Sequence, residues 1–109
     1  RVLSLLFFME DMMENLPTLQ EIDQISRIFK LLSDKTRLKI LLALEQGERN
    51  VTSIAESVHM EQSAVSHQLK MLKDNRMVRS RKEGKTVFYQ LDDDHVFDIL
   101  EQTLEHIRH

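Results

Sequence analysis

Two short helical patterns joined by a tight turn, between residues 51 and 74, constrain the fold of this chain more than any other feature. Apolar residues of the first pattern recur at the i, i+3, i+4, i+7 spacing of one helix face. They are Val51, Ile54, Ala55 and Val58. The turn is formed by residues 59–61, and a helix follows from about Gln62 to Asp74 with apolar residues on one face and polar residues on the other. Such a pair predicts a helix-turn-helix.

Helical patterns also precede this pair. Thr18 and Glu21 form a capping box, which predicts that a helix begins there and runs to about Leu32. A break at residues 33–34 separates it from a second helix, which is apolar around much of its circumference and ends at Gly47. Because a helix that is apolar on most sides is usually buried, we expect this second helix at the centre of the fold.

The pattern changes after the paired helices. Residues 77–82 and 86–91 are predicted to be strands, the second of which is rich in β-branched and aromatic side chains, and the Glu-Gly dipeptide between them is typical of a hairpin turn. A final helix is expected to begin near residues 92–94. From residue 17 onward the predicted order is α-α-α-α-β-β-α, a mainly α winged helix-turn-helix in which the hairpin is the wing.

Charge is distributed unevenly along the chain, although the formal net charge is only -3. Between residues 62 and 86, seven lysines and arginines face two carboxylates, whereas between residues 92 and 109 six carboxylates face one arginine. Local charge decides what a surface attracts. The basic segment coincides with the second helix of the pair and with the hairpin, which suits these elements to DNA.

The polar face of the second paired helix has the residue types that read DNA. Small hydrogen-bonding side chains near the N-terminus of such a helix reach base edges in the major groove, and cationic side chains further along and on the wing reach phosphates or the minor groove. The expected base-reading residues are Gln62, Ser63, Ser66 and His67, and the other expected DNA contacts are Lys70, Lys73, Arg81, Lys82 and Lys85. A solvated polar helix face beside a charged hairpin is the alternative interpretation.

One module of this size makes few contacts with DNA, so useful affinity usually requires a two-fold dimer that reads two half-sites. The expected partners are therefore double-stranded operator DNA with an imperfect palindrome and a second copy of the chain, in a homodimer. The first and last helices are not needed to read DNA, so they are the expected dimer surface. A purely structural dimerisation module is the alternative that the basic helix face argues against.

Candidate metal ligands lie at the two ends of the final helix. Asp93 and His95 form an Asp-x-His pattern, and His106 and His109 form a His-x-x-His pattern on one helix face. The helix from Asp93 to His106 spans about 20 Å, so one chain cannot gather all four residues around an ion whose bonds are about 2 Å long. An antiparallel pairing of two such helices would create two equivalent sites of three nitrogens and one carboxylate, which suit Zn(II), with Co(II) as a mimic.

These groups also have a simpler interpretation. Asp93 is a typical helix N-cap, and histidines near a chain end are often only solvated. A zinc enzyme is disfavoured, because a catalytic site needs an open coordination position and a pocket with a general base, which this short helical chain does not supply. We therefore expect no enzymatic activity.

The composition excludes several classes of protein. The chain has no cysteine, so it has no disulfides or thiolate metal sites, and the cytoplasm is the expected location. Only two glycines are present, which rules out glycine-rich phosphate-binding loops.

The N-terminal segment is apolar at residues 2–8, but this run is too short to span a bilayer, so no membrane partner is expected. We interpret residues 1–16 as an N-terminal extension, of which residues 1–8 are upstream-derived, and residues 17–109 as the DNA-binding and dimerisation domain. An extra helix that packs at the dimer interface is the alternative.

Three segments of the sequence resemble the ArsR/SmtB family of metalloregulatory repressors. Residues 31–41 resemble the signature of the family's second helix, residues 62–72 its recognition helix and residues 84–91 its wing. The resemblance covers roughly residues 18–109. It implies a dimeric winged helix that represses transcription when metal-free and releases DNA when metal binds.

The zinc-sensing, CzrA-like branch of this family carries Asp-x-His and His-x-x-His on its C-terminal helices. The resemblance therefore implies Zn(II) regulation through Asp93, His95, His106 and His109. Another branch binds metal through cysteines at the start of the helix-turn-helix, but residues 48–53 contain no thiol, which disfavours sensing of arsenic, lead or cadmium by that route. A repressor of the same family that responds to a signal other than metal is the alternative.

Overall fold

The computed structural model describes residues 1–109 and contains six helices and three strands. Their bounds are α1 Val2–Glu14, α2 Leu19–Leu32, α3 Lys35–Leu44, β1 Arg49–Asn50, α4 Val51–Val58, α5 Gln62–Asp74, β2 Val78–Glu83, β3 Thr86–Leu91 and α6 Asp94–Arg108. The order from α2 to α6 confirms the predicted winged helix-turn-helix, to which α1 and β1 are additions. The chain divides into two compact units, residues 1–30 and residues 31–109.

The first unit contains α1 and most of α2. No residue of α1 is buried, although most of its residues are apolar. The predicted capping box is present at the start of α2, where Oγ1 of Thr18 accepts a hydrogen bond from the Glu21 N–H at 3.0 Å and Oε1 of Glu21 accepts one from the Thr18 N–H at 2.9 Å. These bonds satisfy backbone donors that the start of a helix otherwise leaves free, so α2 begins at Leu19. Neither α1 nor any other helix has the length and apolar character needed to cross a bilayer.

The core of the second unit lies between α3, α4, α5 and the first strand of the hairpin. Helix α3 begins where Oδ2 of Asp34 accepts a hydrogen bond from the Arg37 N–H at 3.0 Å. The structure confirms α3 as a central helix, although Leu42 on its outer face is exposed. The largest fully buried side chains of the unit are Ile40, Leu41, Ile54, Val65, Leu69, Leu72 and Val78.

The turn between α4 and α5 is tight because His59 adopts a left-handed backbone conformation, with φ 56° and ψ 49°. The His59 N–H bonds back to the carbonyl of Glu56, and the Met60 N–H bonds to the carbonyl of Ala55. These bonds close the end of α4, so the chain enters α5 within three residues. This geometry confirms the predicted helix-turn-helix.

Strands β2 and β3 form the wing, and Arg81 lies directly opposite Phe88 in their antiparallel register. Gly84 takes φ 62° in the hairpin turn, a conformation that residues with a side chain rarely adopt. Strand β1 pairs with the other edge of β3, where Asn50 also lies opposite Phe88, so the strand order is β1-β3-β2. Because β1 leads directly into α4, the wing is hydrogen-bonded to the start of the helix-turn-helix.

Candidate nucleic-acid interface and metal centre

Helix α5 buries its apolar stripe and presents its predicted reading face to solvent. Val65, Leu69 and Leu72 are buried. The side chains on the other face are all exposed, and they are Gln62, Ser63, Ser66, His67, Lys70 and Lys73. Hydrogen-bonding groups followed by two lysines therefore project from one helix without core contacts, an arrangement that suits base edges and flanking phosphates.

The N-terminal end of α5 has no side-chain cap. Glu61 occupies the N-cap position, but its side chain accepts no hydrogen bond from the first turn. The first backbone N–H groups of a helix have no intrahelical partner. These donors therefore lie beside Gln62 and Ser63, at the end of the helix that enters the major groove in a helix-turn-helix complex.

Arg37 of α3 contacts two side chains of α5. Its Nε donates to the carbonyl of Leu31 at 3.0 Å, its Nη1 donates to Oε1 of Gln68 at 3.4 Å, and Nη1 also lies 3.2 Å from Sδ of Met71. One guanidinium therefore joins the end of α2 to two residues of α5. Sequence reasoning missed Arg37 because contacts 31 and 34 residues apart leave no periodic signal.

The wing presents Lys82 and Lys85 around its turn, and both side chains are exposed. Neither lysine forms a salt bridge. Side chains alternate between the two faces of a strand, so Lys82 lies on the face opposite to that of Arg81. The two lysines therefore form the part of the wing that is open to an anion.

Arg81, by contrast, is bonded within the chain. Its guanidinium donates three hydrogen bonds to the carboxylate of Glu48, at 3.0, 2.8 and 2.6 Å, and one to Glu83 at 3.1 Å. It also lies 4.7 Å from the centre of the Phe88 ring. The hydrogen bond with Arg81 lowers the pKa of the Glu48 carboxyl, and the bonds with Glu48 and then Glu83 raise the pKa of Arg81.

The structure therefore separates Arg81 from the other cationic residues that the sequence predicts as DNA contacts. Arg81 is exposed but forms ion pairs with Glu48 and Glu83, whereas the exposed lysines of α5 and of the hairpin turn form no salt bridge. The structure also adds Glu48, which sequence reasoning did not select. No local pattern indicates this pair, because its members are 33 residues apart.

Asp93 is the N-cap of α6 and also lies beside a second candidate metal ligand. Its Oδ1 accepts hydrogen bonds from the backbone N–H groups of His95 at 3.0 Å and Val96 at 3.3 Å, whereas its Oδ2 lies 3.2 Å from Nδ1 of His95. The side-chain hydrogen bond with His95 lowers the pKa of Asp93, and the two backbone N–H groups contribute further. Two ligands of a tetrahedral Zn(II) ion are about 3.4 Å apart. The Oδ2 and Nδ1 atoms are hydrogen-bonded to each other in the chain, at a separation similar to that of two ligands of one ion.

His106 and His109 lie at the opposite end of α6, and both are exposed. They are three residues apart, so they share one helix face. Nε2 of His109 lies 3.6 Å from Oε1 of Glu105. About 20 Å of helix separates these histidines from Asp93, and no group of three or more histidine or carboxylate side chains in the chain could hold a metal ion. The chain supplies two separate pairs of donors, and their union across a dimer stays a prediction.

Comparison with known proteins identifies relatives of the chain. The sequence profile of the family described as bacterial regulatory protein, arsR family, matches residues 34–80. A transcriptional repressor SmtB homolog from Synechocystis sp. is 34% identical over 91 residues, which are 84% of this chain and 69% of that protein. A cadmium resistance transcriptional regulatory protein CadC homolog from Staphylococcus aureus is 40% identical over 85 residues, which are 77% of this chain and 70% of that protein.

A solved structure has the same architecture. It is the homodimeric winged helix-turn-helix DNA-binding domain of a possible ArsR-family transcriptional regulator from Mycobacterium bovis. The two structures agree with a TM-score of 0.77 and 31% sequence identity, over 82% of each chain. The matched relatives are regulators of transcription and not enzymes.

Proposed function

The chain belongs to the ArsR family of bacterial regulatory proteins, and we propose that it is a metal-responsive repressor that binds operator DNA as a homodimer. The observation that carries the proposal is the exposed row of polar and cationic side chains on α5, beside a wing with two unpaired lysines. A helix-turn-helix places this helix in the major groove, and the flanking wing then reaches the adjacent backbone.

The residues of the interface divide into two groups by what they contact. The side chains at the start of α5 read base edges through hydrogen bonds, and the lysines position the protein on phosphates. The proposed base-reading residues are Gln62, Ser63, Ser66 and His67, and the proposed phosphate contacts are Lys70, Lys73, Lys82 and Lys85. In a two-fold dimer the two α5 helices would enter successive major grooves, about 34–36 Å apart.

The occupant that we propose for the exposed apolar face of α2 is a second copy of the chain. Leu19, Ile22, Ile25 and Phe29 of this helix are large apolar residues with between 46% and 84% of their surface exposed. Their spacing places them along one side of the helix. Monomeric soluble proteins rarely leave such a stripe open to water, and the related Mycobacterium bovis domain is a homodimer.

The proposed regulatory ligand is Zn(II), held by Asp93 and His95 of one protomer with His106 and His109 of the partner subunit. Three lines of support are the donor set, the 3.2 Å separation between Oδ2 of Asp93 and Nδ1 of His95, and the pairing of two histidines on one face at the far end of the same helix. Co(II) is expected to occupy the same ligands. A coupling free energy of about 1–3 kcal/mol between zinc and DNA would weaken operator binding about 5- to 150-fold.

The second candidate is a repressor of the same family that responds to a signal other than metal. The hydrogen bonds that Asp93 makes as the N-cap of α6 favour it, because capping alone accounts for that side chain. Both candidates bind the same DNA, so only the response to metal separates them.

A zinc titration of the DNA complex tests the proposal. The purified dimer is bound to a labelled palindromic duplex from its own promoter, and fluorescence anisotropy follows release as Zn(II) is added. Release at about one zinc per protomer is the expected result. Tight binding that zinc leaves unchanged would contradict zinc regulation but would still support a DNA-binding repressor. Absence of binding to the promoter duplex would contradict both.

A further inference from the structure

The ion pair between Glu48 and Arg81 joins the wing to the segment that leads into the helix-turn-helix. Glu48 lies between α3 and β1, whereas Arg81 lies in the middle of β2. Nε of Arg81 donates to both carboxylate oxygens of Glu48, at 3.0 and 2.8 Å, and Nη2 donates to Oε1 at 2.6 Å. Multiple hydrogen bonds between a planar guanidinium and a carboxylate fix orientation as well as distance.

The guanidinium of Arg81 is held on its other sides too. Nη1 donates to Oε2 of Glu83 at 3.1 Å, and the ring of Phe88 lies beneath the group at 4.7 Å. Phe88 is the register partner of Arg81 in β2 and of Asn50 in β1, and Asn50 is the N-cap of α4. The ion pair therefore lies where the wing meets the start of the helix-turn-helix.

The charge of this cluster is unsuited to a phosphate contact. One guanidinium faces two carboxylates, so the cluster is negative as a whole. Lys82 projects from the opposite face of the strand. The cationic face of the wing is therefore the one that carries Lys82, and Arg81 faces Glu48 instead.

We propose that Glu48 is a positioning residue for DNA binding, which holds Arg81 and thereby fixes the wing lysines relative to α5. This inference rests on the proposed function of the chain as an operator-binding repressor. While the pair is intact, Lys82 and Lys85 lose less conformational freedom when they meet phosphates. Without it, the hairpin stays folded through its own strand ladder, but its tip moves more relative to the rest of the domain.

Glu48→Gln and Glu83→Gln form a matched pair of variants, because each neutralises one of the two carboxylates that form salt bridges with Arg81. Only Glu48→Gln weakens the contact between the wing and the segment before β1, because it removes the charge of Glu48, whereas Glu83 lies two residues from Arg81 in the same strand. The pair is partly exposed, at 48% for Arg81 and 27% for Glu48. We therefore expect Glu48→Gln to bind the operator about three- to five-fold more weakly than Glu83→Gln. A non-operator duplex should be weakened by a similar factor, because phosphate contacts do not depend on base sequence.

Hydrogen exchange of the DNA-free dimer is the second measurement. Backbone amides of β2 and β3 are expected to exchange faster in Glu48→Gln than in Glu83→Gln. Reversing both charges, with Glu48→Arg and Arg81→Glu in one chain, is expected to restore slow exchange and operator affinity. Restored exchange and affinity in this double variant would show that the contact between positions 48 and 81 matters, and not the identity of either residue alone.

Each outcome separates this inference from the proposed function. Failure of the wild-type dimer to bind its operator contradicts the proposed function, and unequal exchange would then still show that Glu48 orders the wing. Wild-type binding with equal affinity and equal exchange in the two variants overturns the role of Glu48 alone. Tighter operator binding by Glu48→Gln also overturns it, because Glu48 would then compete with DNA for Arg81.

Discussion

Asp93 directs one carboxylate oxygen to the backbone N–H groups at the start of α6 and places the other oxygen 3.2 Å from Nδ1 of His95. One side chain thus stabilises a helix and, in our proposal, binds metal. The two roles make different chemical demands. A cap needs only a hydrogen-bond acceptor, which an amide also supplies, whereas a Zn(II) ligand of this set needs a carboxylate.

Substitution of Asp93 by asparagine or by alanine separates these roles. Asparagine is as good an N-cap as aspartate, so Asp93→Asn should change the free energy of unfolding by only a few tenths of a kcal/mol, whereas Asp93→Ala should lower it by about 1 kcal/mol. Both variants should lose zinc-driven release of DNA. Thermal unfolding of the metal-free protein and the anisotropy titration measure the two effects. Full zinc response in Asp93→Asn would remove this carboxylate from the proposed ligands.

His106→Ala and His67→Ala should have opposite effects, because one histidine is a proposed metal ligand and the other a proposed base contact. Without metal, His106→Ala should bind the operator with wild-type affinity, but zinc should then weaken binding less than about two-fold instead of 5- to 150-fold. His67→Ala should bind the operator more weakly, but zinc should weaken its binding by the same factor as in the wild type. Affinities with and without zinc measure both effects. If zinc weakens operator binding by His106→Ala as much as by the wild type, the proposed metal site is contradicted.

Much of this fold follows from local patterns in the sequence. The capping box at Thr18 and Glu21, the apolar stripe of α4 and the Glu-Gly hairpin turn each depend on neighbours within one or two turns of chain. For that reason the element order and the exposed face of α5 agree between prediction and structure.

The contacts that set the geometry of the interface could not be predicted in this way. Strand β1 has only two residues, too few for any period. The pairs Arg37–Gln68 and Glu48–Arg81 join residues more than thirty positions apart, and their residue types are ordinary for an exposed surface. The sequence therefore groups Arg81 with the wing lysines, because the charge of Arg81 is visible in the sequence and its pairing with Glu48 is not.

Lys73 and Gln62 should differ in what their loss does to DNA binding. A phosphate contact releases counterions, and Lys73→Ala removes one contact from each protomer of the dimer. The slope of log affinity against log salt should therefore fall in magnitude by about 1.8, and all duplexes should be weakened alike. Gln62→Ala should leave that slope unchanged and lose about 1–3 kcal/mol of discrimination at one base pair of each half-site. Affinities for operator and substituted duplexes at several salt concentrations test this, with Lys39→Ala on α3 as the control. An unchanged slope in Lys73→Ala would exclude its phosphate contact.

The acid stability of the domain should depend on Glu48. Arg81 lowers the pKa of the Glu48 carboxyl in the folded state, whereas the pKa of an unfolded glutamate is about 4.3. The stabilisation is therefore present above about pH 4.3 and is lost as the pH falls through the lower pKa of the folded state. Glu48→Gln, which cannot ionise, should lose less stability than the wild type between pH 6 and about pH 3.

Urea unfolding at several pH values measures this difference. The free energy of unfolding that is lost on acidification should be smaller in Glu48→Gln than in the wild type, but not zero. The reason is that the pKa of Asp93 is also lowered in the folded state, and that carboxyl is still present. Arg81→Met should shrink the loss in the same way, since it removes the cation that lowers the pKa of Glu48. If the acid loss in both variants equals that of the wild type, the ion pair between Glu48 and Arg81 does not persist in solution, and the wing is not fixed by it.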